Sequence, residues 1–213
     1  MIEIRSVAGT NHEVHAVLFD MDGTIVDSVA ATERIWGAWA ADHGVADRLV
    51  IDHGRPAEIT IRATMPHVTE DELAELLLEQ RQREAGDLDG VVPIPGAHEL
   101  MAWLDETGIP WAVVTSADST LARARLGACG IEPPILVTRD DVVEGKPHPE
   151  PFLLGAARVE VAAHLCLVVE DSDAGLASGT AAGARTASVG RPGGDLQVRD
   201  MHDLLEQLGG TRP

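Results

Sequence analysis

The chain has 213 residues, 45% of them hydrophobic and 24% charged; that length holds one α/β domain with a small inserted module, and the composition excludes a disordered or fibrous protein. Acids outnumber bases 35 to 16, for a formal net charge of -19, which argues against nucleic acid and anionic membranes as partners because both are held through cations. No apolar run approaches the roughly 20 residues of a membrane-spanning helix, and the opening stretch carries Glu3, Arg5 and Glu13 where a secretory signal has its apolar core.

In chain order, short apolar runs bounded by turn residues predict buried parallel strands over 14–19, 111–114, 135–137, 165–169 and 186–189. Helical patterns fall between them, over 97–107, 118–129, 150–159 and 173–182. The last is rich in Gly and Ala, which suits close approach to a sheet. Residues 30–93 break this alternation, with two or three helical patterns and no convincing strand, and read as a helical insertion into a core made of 1–29 and 94–213. Its clearest helix opens on a capping box, Thr69-Glu70-Asp71-Glu72, and continues with Leu73, Leu76 and Leu77 on one face until Gly86 stops it. Residues 86–96 then form a loop and a candidate hinge. Asp27 and Ser28 are candidates to cap the first helix of the insertion, and His43 and His67 read as surface residues.

Cys129 and Cys166 lie in apolar surroundings with no CxxC spacing, so both read as buried thiols of a cytoplasmic protein. Four Trp, two Phe and no Tyr leave no stacking platform for single-stranded nucleic acid.

Three of the expected strands run into a group able to do chemistry: Phe19 into Asp20, Val114 into Thr115, and Val169 into Glu170-Asp171. Ligands of open α/β sheets bind beyond the carboxyl ends of the strands, so these groups should converge. In Asp20-Met21-Asp22-Gly23-Thr24 two acids stand one residue apart before a glycine that lets the backbone turn. One carboxylate there can attack phosphorus while the other handles protons for the leaving group and for water. An acidic turn solvated at a strand end is the bland alternative. Glu170 and Asp171 bring two more acids to the same edge, with helix capping by Asp171 or Ser172 as the plainer role. Like charges about 4 Å apart repel by roughly 4 kcal/mol at an effective dielectric of about 20, so the cluster calls for a hard divalent cation with oxygen ligands, most simply Mg²⁺.

Lys146 is the only lysine among 16 cations and stands in Gly145-Lys146-Pro147-His148-Pro149. A compact charge on a stiff loop suits one oxygen of a phosphoryl group; a solvated surface lysine is the alternative. Thr115, with Ser116 beside it, can offer a hydroxyl and a backbone N–H to the same group, or simply cap a helix.

Together these four clusters resemble the motifs of the haloacid dehalogenase superfamily, in its order and at its approximate spacing. The likeness runs from about Val14 to Gly190 and is nearest to the β-phosphoglucomutase-like subgroup, in particular its sugar and glycerol phosphate phosphatases. It implies a Rossmann-like parallel sheet with an inserted α-helical cap. It also implies that Asp20 forms an aspartyl-phosphate, that Asp22 is the general acid and base, and that Thr115 and Lys146 hold the phosphoryl oxygens. Mg²⁺ would be held by the Asp20 and Asp171 carboxylates and the Asp22 main-chain carbonyl, with Glu170 helping through water. Dehalogenases of the family lack the second acid, which is present here as Asp22; phosphonate-cleaving relatives need a cap lysine, and this cap has none. The mutase carries a histidine about a dozen residues past the nucleophile, where this chain has Thr32-Glu33, so water is the expected acceptor.

The expectation is therefore a Mg²⁺-dependent phosphatase acting on a small phosphorylated metabolite, a sugar or polyol. Its alternatives are a phosphosugar mutase and a non-catalytic phosphometabolite-binding protein. Specificity is assigned to the cap, with His53 and Arg55 of the polar turn His53-Gly54-Arg55 as substrate-binding candidates and no aromatic slot for a base. A monomer or weak homodimer is expected.

Overall fold

Alternation of side chains along one strand decides the layers of this fold. The computed structural model describes residues 2–7, 9–51 and 56–211. The chain opens with a hairpin, β1 (Ile2–Arg5) and β2 (Asn11–Val14), and enters the main sheet at β3 (Ala16–Phe19). In β3, Val17 and Phe19 point into one apolar cluster, whereas Ala16 and Leu18 point into another. A strand buried on both faces needs cover on both faces, which is why it reads as a continuous apolar run.

After β3 come β4 (Val26–Asp27), α1 (Val29–Asp42), α2 (Ala57–Thr64), α3 (Glu70–Gly86) and β5 (Val92–Pro93). The α/β alternation follows: α4 (Ala97–Thr107), β6 (Trp111–Val114), α5 (Ser119–Ala128), β7 (Leu136–Val137), α6 (Glu150–Arg158), β8 (Cys166–Glu170), α7 (Asp173–Ala181), β9 (Arg185–Val189), β10 (Leu196–Val198) and α8 (Met201–Gln207). The main sheet has the order β10-β9-β8-β3-β6-β7, and all its pairs are parallel. Leu100 and Leu104 of α4, Leu126 of α5 and Leu204 of α8 cover the Phe19 face, and Phe152 and Ala156 of α6 cover the Leu18 face. Each such large side chain contributes roughly 1.5–3 kcal/mol by leaving water. Helix α7 approaches so closely that a Cβ on Gly179 would sit 2.9 Å from the Val168 side chain.

Helices α1, α2 and α3 enclose a third cluster of their own, built on Trp36, Trp39, Ile61, Leu73 and Leu76. Helix α3 starts where the sequence places it: Thr69 accepts from the Glu72 N–H, and Glu72 reaches back to the Thr69 N–H. Its buried face runs Leu73, Leu76, Gln80, Glu84, turning from apolar to polar along its length.

Several expectations are corrected. The run 14–19 is not one strand: it divides at His15, with Val14 ending β2 and Ala16 opening β3. Residues 86–96 are not purely loop, because Val92–Pro93 pairs antiparallel with Val26–Asp27. Gly86 is the last helical residue of α3, and the helix ends at Asp87 in extended conformation. The hairpin β1–β2, strand β10 and helix α8 were not anticipated. His43 is half-buried, stacked at a tilt on Trp39 and 3.0 Å from Glu79; His67 is exposed, as read. Both cysteines are buried and free, and burial pushes each thiol up to about 11.

Candidate active site

Register brings the reactive groups together. Phe19 is the Cα partner of Val113 on β6 and of Val169 on β8, so Asp20, Thr115 and Glu170 leave three adjacent strands at one edge. The chain runs from β3 outward through β6 and β7, then returns to β8 on the other side of β3. That reversal is the switch point at which open α/β sheets form a crevice.

Asp20 is 8% exposed and its N–H bonds to Val169 O at 2.9 Å. The turn beyond it is tight, with the N–H groups of Ile25 and Val26 both on Met21 O at 2.9 Å. Gly23 is required twice over: its φ is +82°, and a Cβ there would lie 2.1 Å from Asp171 Oδ2. A second glycine, Gly175 of α7, makes room for Glu170, since a Cβ at that position would fall 1.8 Å from the Glu170 carboxyl carbon. Glu170, 1% exposed, accepts from the N–H groups of Asp171 and Ser172 at 3.1 Å and from Ser172 Oγ at 2.9 Å. Ser172 also caps α7 by accepting from the Gly175 N–H.

Lys146 lies at the centre. Its Nζ donates to Asp20 Oδ1 at 2.6 Å, Glu170 Oε1 at 2.7 Å and Val114 O at 2.8 Å, and stands 4.9 Å from the centre of the Phe152 ring. The surface-lysine alternative is thereby excluded: its side chain is 3% exposed. Burial works against its charge, but the Asp20 and Glu170 carboxylates outweigh this and hold its pKa above the usual lysine range. One lysine does not balance the acids present. Carboxylate oxygens of Asp20, Glu170 and Asp171 lie within 4.8 Å of one another. Burial pushes the Asp171 carboxyl up to about 6, with Glu170 adding to the shift. Asp20 is raised by burial too, against the pull of Lys146. These buried oxygens fit a hard divalent cation.

All four acids line one cavity, but the Asp22 carboxylate is not among the three whose oxygens lie within 4.8 Å of one another. Its Oδ1 accepts from Ser28 Oγ at 2.7 Å and forms an ion pair with Arg125 Nη1, 2.9 Å away. Thr115 is corrected in part. Its N–H is taken by Val137 O at 2.9 Å, and its Oγ1 accepts from the Ala117 N–H at 3.0 Å. Its hydroxyl proton can still donate to a ligand. Ser116 lines the same cavity. His53 and Arg55 lie outside the described residues.

A cavity of about 430 Å³ opens above these groups and is walled by Trp36, Leu77, Arg81 and Glu84 of the helical segment. Trp36 is an aromatic wall the sequence reading did not place there. Arg125, Glu84, Ser28 and Phe152 were missed as well. For Arg125 a signal existed: the buried face of α5 is Leu121, Ala122, Arg125, Leu126, and a cation on an apolar face needs a buried partner.

A buried aspartate paired with a lysine, at the switch point of a parallel sheet and beneath a helical wall, is the site of an α/β protein equipped for polar chemistry. The family model of haloacid dehalogenase-like hydrolases matches residues 14–183, and the chain belongs to that family. It is 39% identical over 194 residues to hexitol phosphatase A of Escherichia coli, a match that covers 90% of each protein. It is 30% identical over 191 residues to glycerol-1-phosphate phosphohydrolase 2 of Saccharomyces cerevisiae, covering 83% of this chain and 75% of that one. In fold it resembles β-phosphoglucomutase of Clostridium difficile, with a TM-score of 0.79 at 20% identity, over 92% of this chain and 97% of that one. The chain is thus a hydrolase with phosphatases among its relatives.

Proposed function

We propose that the protein is a Mg²⁺-dependent phosphatase that hydrolyses a small phosphorylated sugar or polyol through an aspartyl-phosphate on Asp20. The observation that carries this reading is the placement of Asp20: a buried carboxylate fixed by Lys146 at the floor of the cavity, with Asp22 two residues away and its carboxylate outside the three-acid group. In this reading an Asp20 oxygen bonds to phosphorus as the bond to the alkoxy oxygen breaks, and Asp22 gives its proton to the departing alcohol. Asp22 then takes a proton from water as the water oxygen bonds to phosphorus and the Asp20–phosphorus bond breaks. Lys146 and the Thr115 hydroxyl hold phosphoryl oxygens where charge builds. The Asp20 and Asp171 carboxylates and the Asp22 carbonyl would hold Mg²⁺, with Glu170 helping through water, and the ion would supply charge neutralisation of the phosphoryl group when bound.

The segment 30–93 serves as the cap that selects the substrate. Its cavity wall combines Trp36 and Leu77 with Arg81 and Glu84, a mixture suited to a polyol with apolar and hydroxyl-bearing faces. The relatives named for hexitol and glycerol phosphates support that class. Where a mutase needs a second acid–base group, Thr32 Oγ1 accepts a hydrogen bond from Arg125 at 3.1 Å, which favours water over a sugar hydroxyl as acceptor.

The test is a panel of phosphorylated sugars, polyols and nucleotides with Mg²⁺. Polyol or sugar phosphates are expected to turn over best, chelation is expected to abolish the activity, and Asp20→Asn is expected to be inactive though folded. A preference for nucleotides would overturn the substrate class. Single-turnover hydrolysis in heavy-oxygen water that labels phosphate but never Asp20 would overturn the covalent step.

A further inference from the structure

We propose that Arg125 is a positioning residue for Asp22, and that it ties the working orientation of Asp22 to the seating of the helical segment. This rests on the phosphatase reading of the site. Arg125 belongs to α5, yet its guanidinium meets three parts of the chain. Nη1 lies 2.9 Å from Asp22 Oδ1, and Nη2 lies 3.1 Å from Thr32 Oγ1 of α1 and 3.7 Å from Glu84 Oε2 of α3. The side chain is 7% exposed, and Glu84 is buried as well. Buried charges stay buried only when paired. Arg125 is paired twice, once within the α/β core and once across to the helices above it.

A second group reaches the same oxygen. Ser28 occupies the N-cap position of α1 but makes no side-chain capping bond; its hydroxyl is directed to Asp22 Oδ1 at 2.7 Å. Oδ1 is therefore held by two groups, a hydroxyl at the N-cap of α1 and a guanidinium anchored on α1 and α3. The proton that Asp22 transfers belongs on Oδ2, the oxygen these groups leave open. Moving α1 and α3 away from the core would loosen both groups and free the Asp22 side chain to rotate. The general acid is set in place only when the helices are.

The test separates positioning from folding and from substrate binding. p-Nitrophenolate leaves without a proton, whereas a polyol alkoxide does not. With p-nitrophenyl phosphate and Mg²⁺, Arg125→Met is expected to lower kcat about 100-fold, because water still needs Asp22. Its kcat/KM, which reports only the steps up to p-nitrophenol release, is expected to stay within about threefold of wild type. With glycerol phosphate, both kcat and kcat/KM are expected to fall. Arg125→Lys is expected to recover at least about tenfold of the lost turnover. Should Arg125→Met fail to fold with Glu84 left unpaired, the double variant R125M/E84M removes the buried charge pair and is expected to show the same split. Equal losses of kcat/KM on both substrates, a raised KM with kcat intact, or wild-type kinetics in the variants would each overturn the inference alone. An inactive wild-type protein would overturn the phosphatase reading and this inference with it.

Discussion

Two residues show how little tolerance the site has. Three acceptors, Asp20, Glu170 and Val114 O, converge on one lysine nitrogen, and a single ammonium can serve all three. Lys146→Ala is expected to lower kcat by about 10²–10³, the usual cost of removing one stabilising donor from a transferring group. Lys146→Arg is expected to rescue poorly, because a planar fork spreads its donors over separate nitrogens. Steady-state kinetics on a polyol phosphate checks both. Gly175 lies in α7 without any special φ, so Gly175→Ala introduces no backbone strain of the left-handed kind. Its new methyl would nevertheless collide with the Glu170 carboxyl and disturb Lys146. A loss of about 1–3 kcal/mol in urea unfolding, typical of overpacking, is expected together with a fall in turnover.

At the scale of elements, α3 illustrates a division of labour along one helix. Its first turn carries the capping box and three acids, which favour the helix by satisfying its free N–H groups and its positive end. Its middle packs Leu73 and Leu76 into the cluster shared with α1 and α2. Its last turns deliver Glu84 to Arg125. Thr69 and Glu84 are 15 residues apart, roughly 22 Å along the axis. Thr69→Ala is therefore expected to cost about 1 kcal/mol of stability while leaving kcat unchanged within experimental error. Denaturant unfolding and kinetics on the same preparation would show whether the two effects separate.

For the whole molecule, the acidic site is a store of electrostatic cost that a bound cation would relieve. Burial and the neighbouring Glu170 push the Asp171 carboxyl up to about 6, above the ordinary aspartate value of about 4. A raised carboxyl pKa means that the native state binds the proton more tightly than the unfolded chain does, so stability falls as pH rises from about 4 through about 6. Mg²⁺ should offset that loss. Thermal melts are expected to show a larger Mg²⁺-induced rise in Tm at about pH 7.5 than at about pH 5, where protons compete for the same oxygens. An equal rise at both values would place the cation elsewhere.

The apolar runs of β3, β6 and β8, the capping box of α3 and the acids after Phe19 and Val169 were legible in the sequence because each is a local pattern: a period, a cap, or a polar residue ending an apolar run. That Asp20, Thr115 and Glu170 meet at one edge of the sheet then followed from where those runs ended, whereas the order of the strands around β3 came only from the structure. The sequence alone could not place β1 and β2 or separate them from β3, since the break at His15 shows only in the pairing of Val14 with Ile2 and of Ala16 with Cys166. Nor could it join Asp22, Ser28, Glu84 and Arg125, which are spread over more than 100 residues of sequence. Their meeting depends on how α1 and α3 sit on α5. A buried charge cluster of this kind has no period or spacing to announce it; only the packing of helices against the sheet determines which charges lose water together, and hence which must pair.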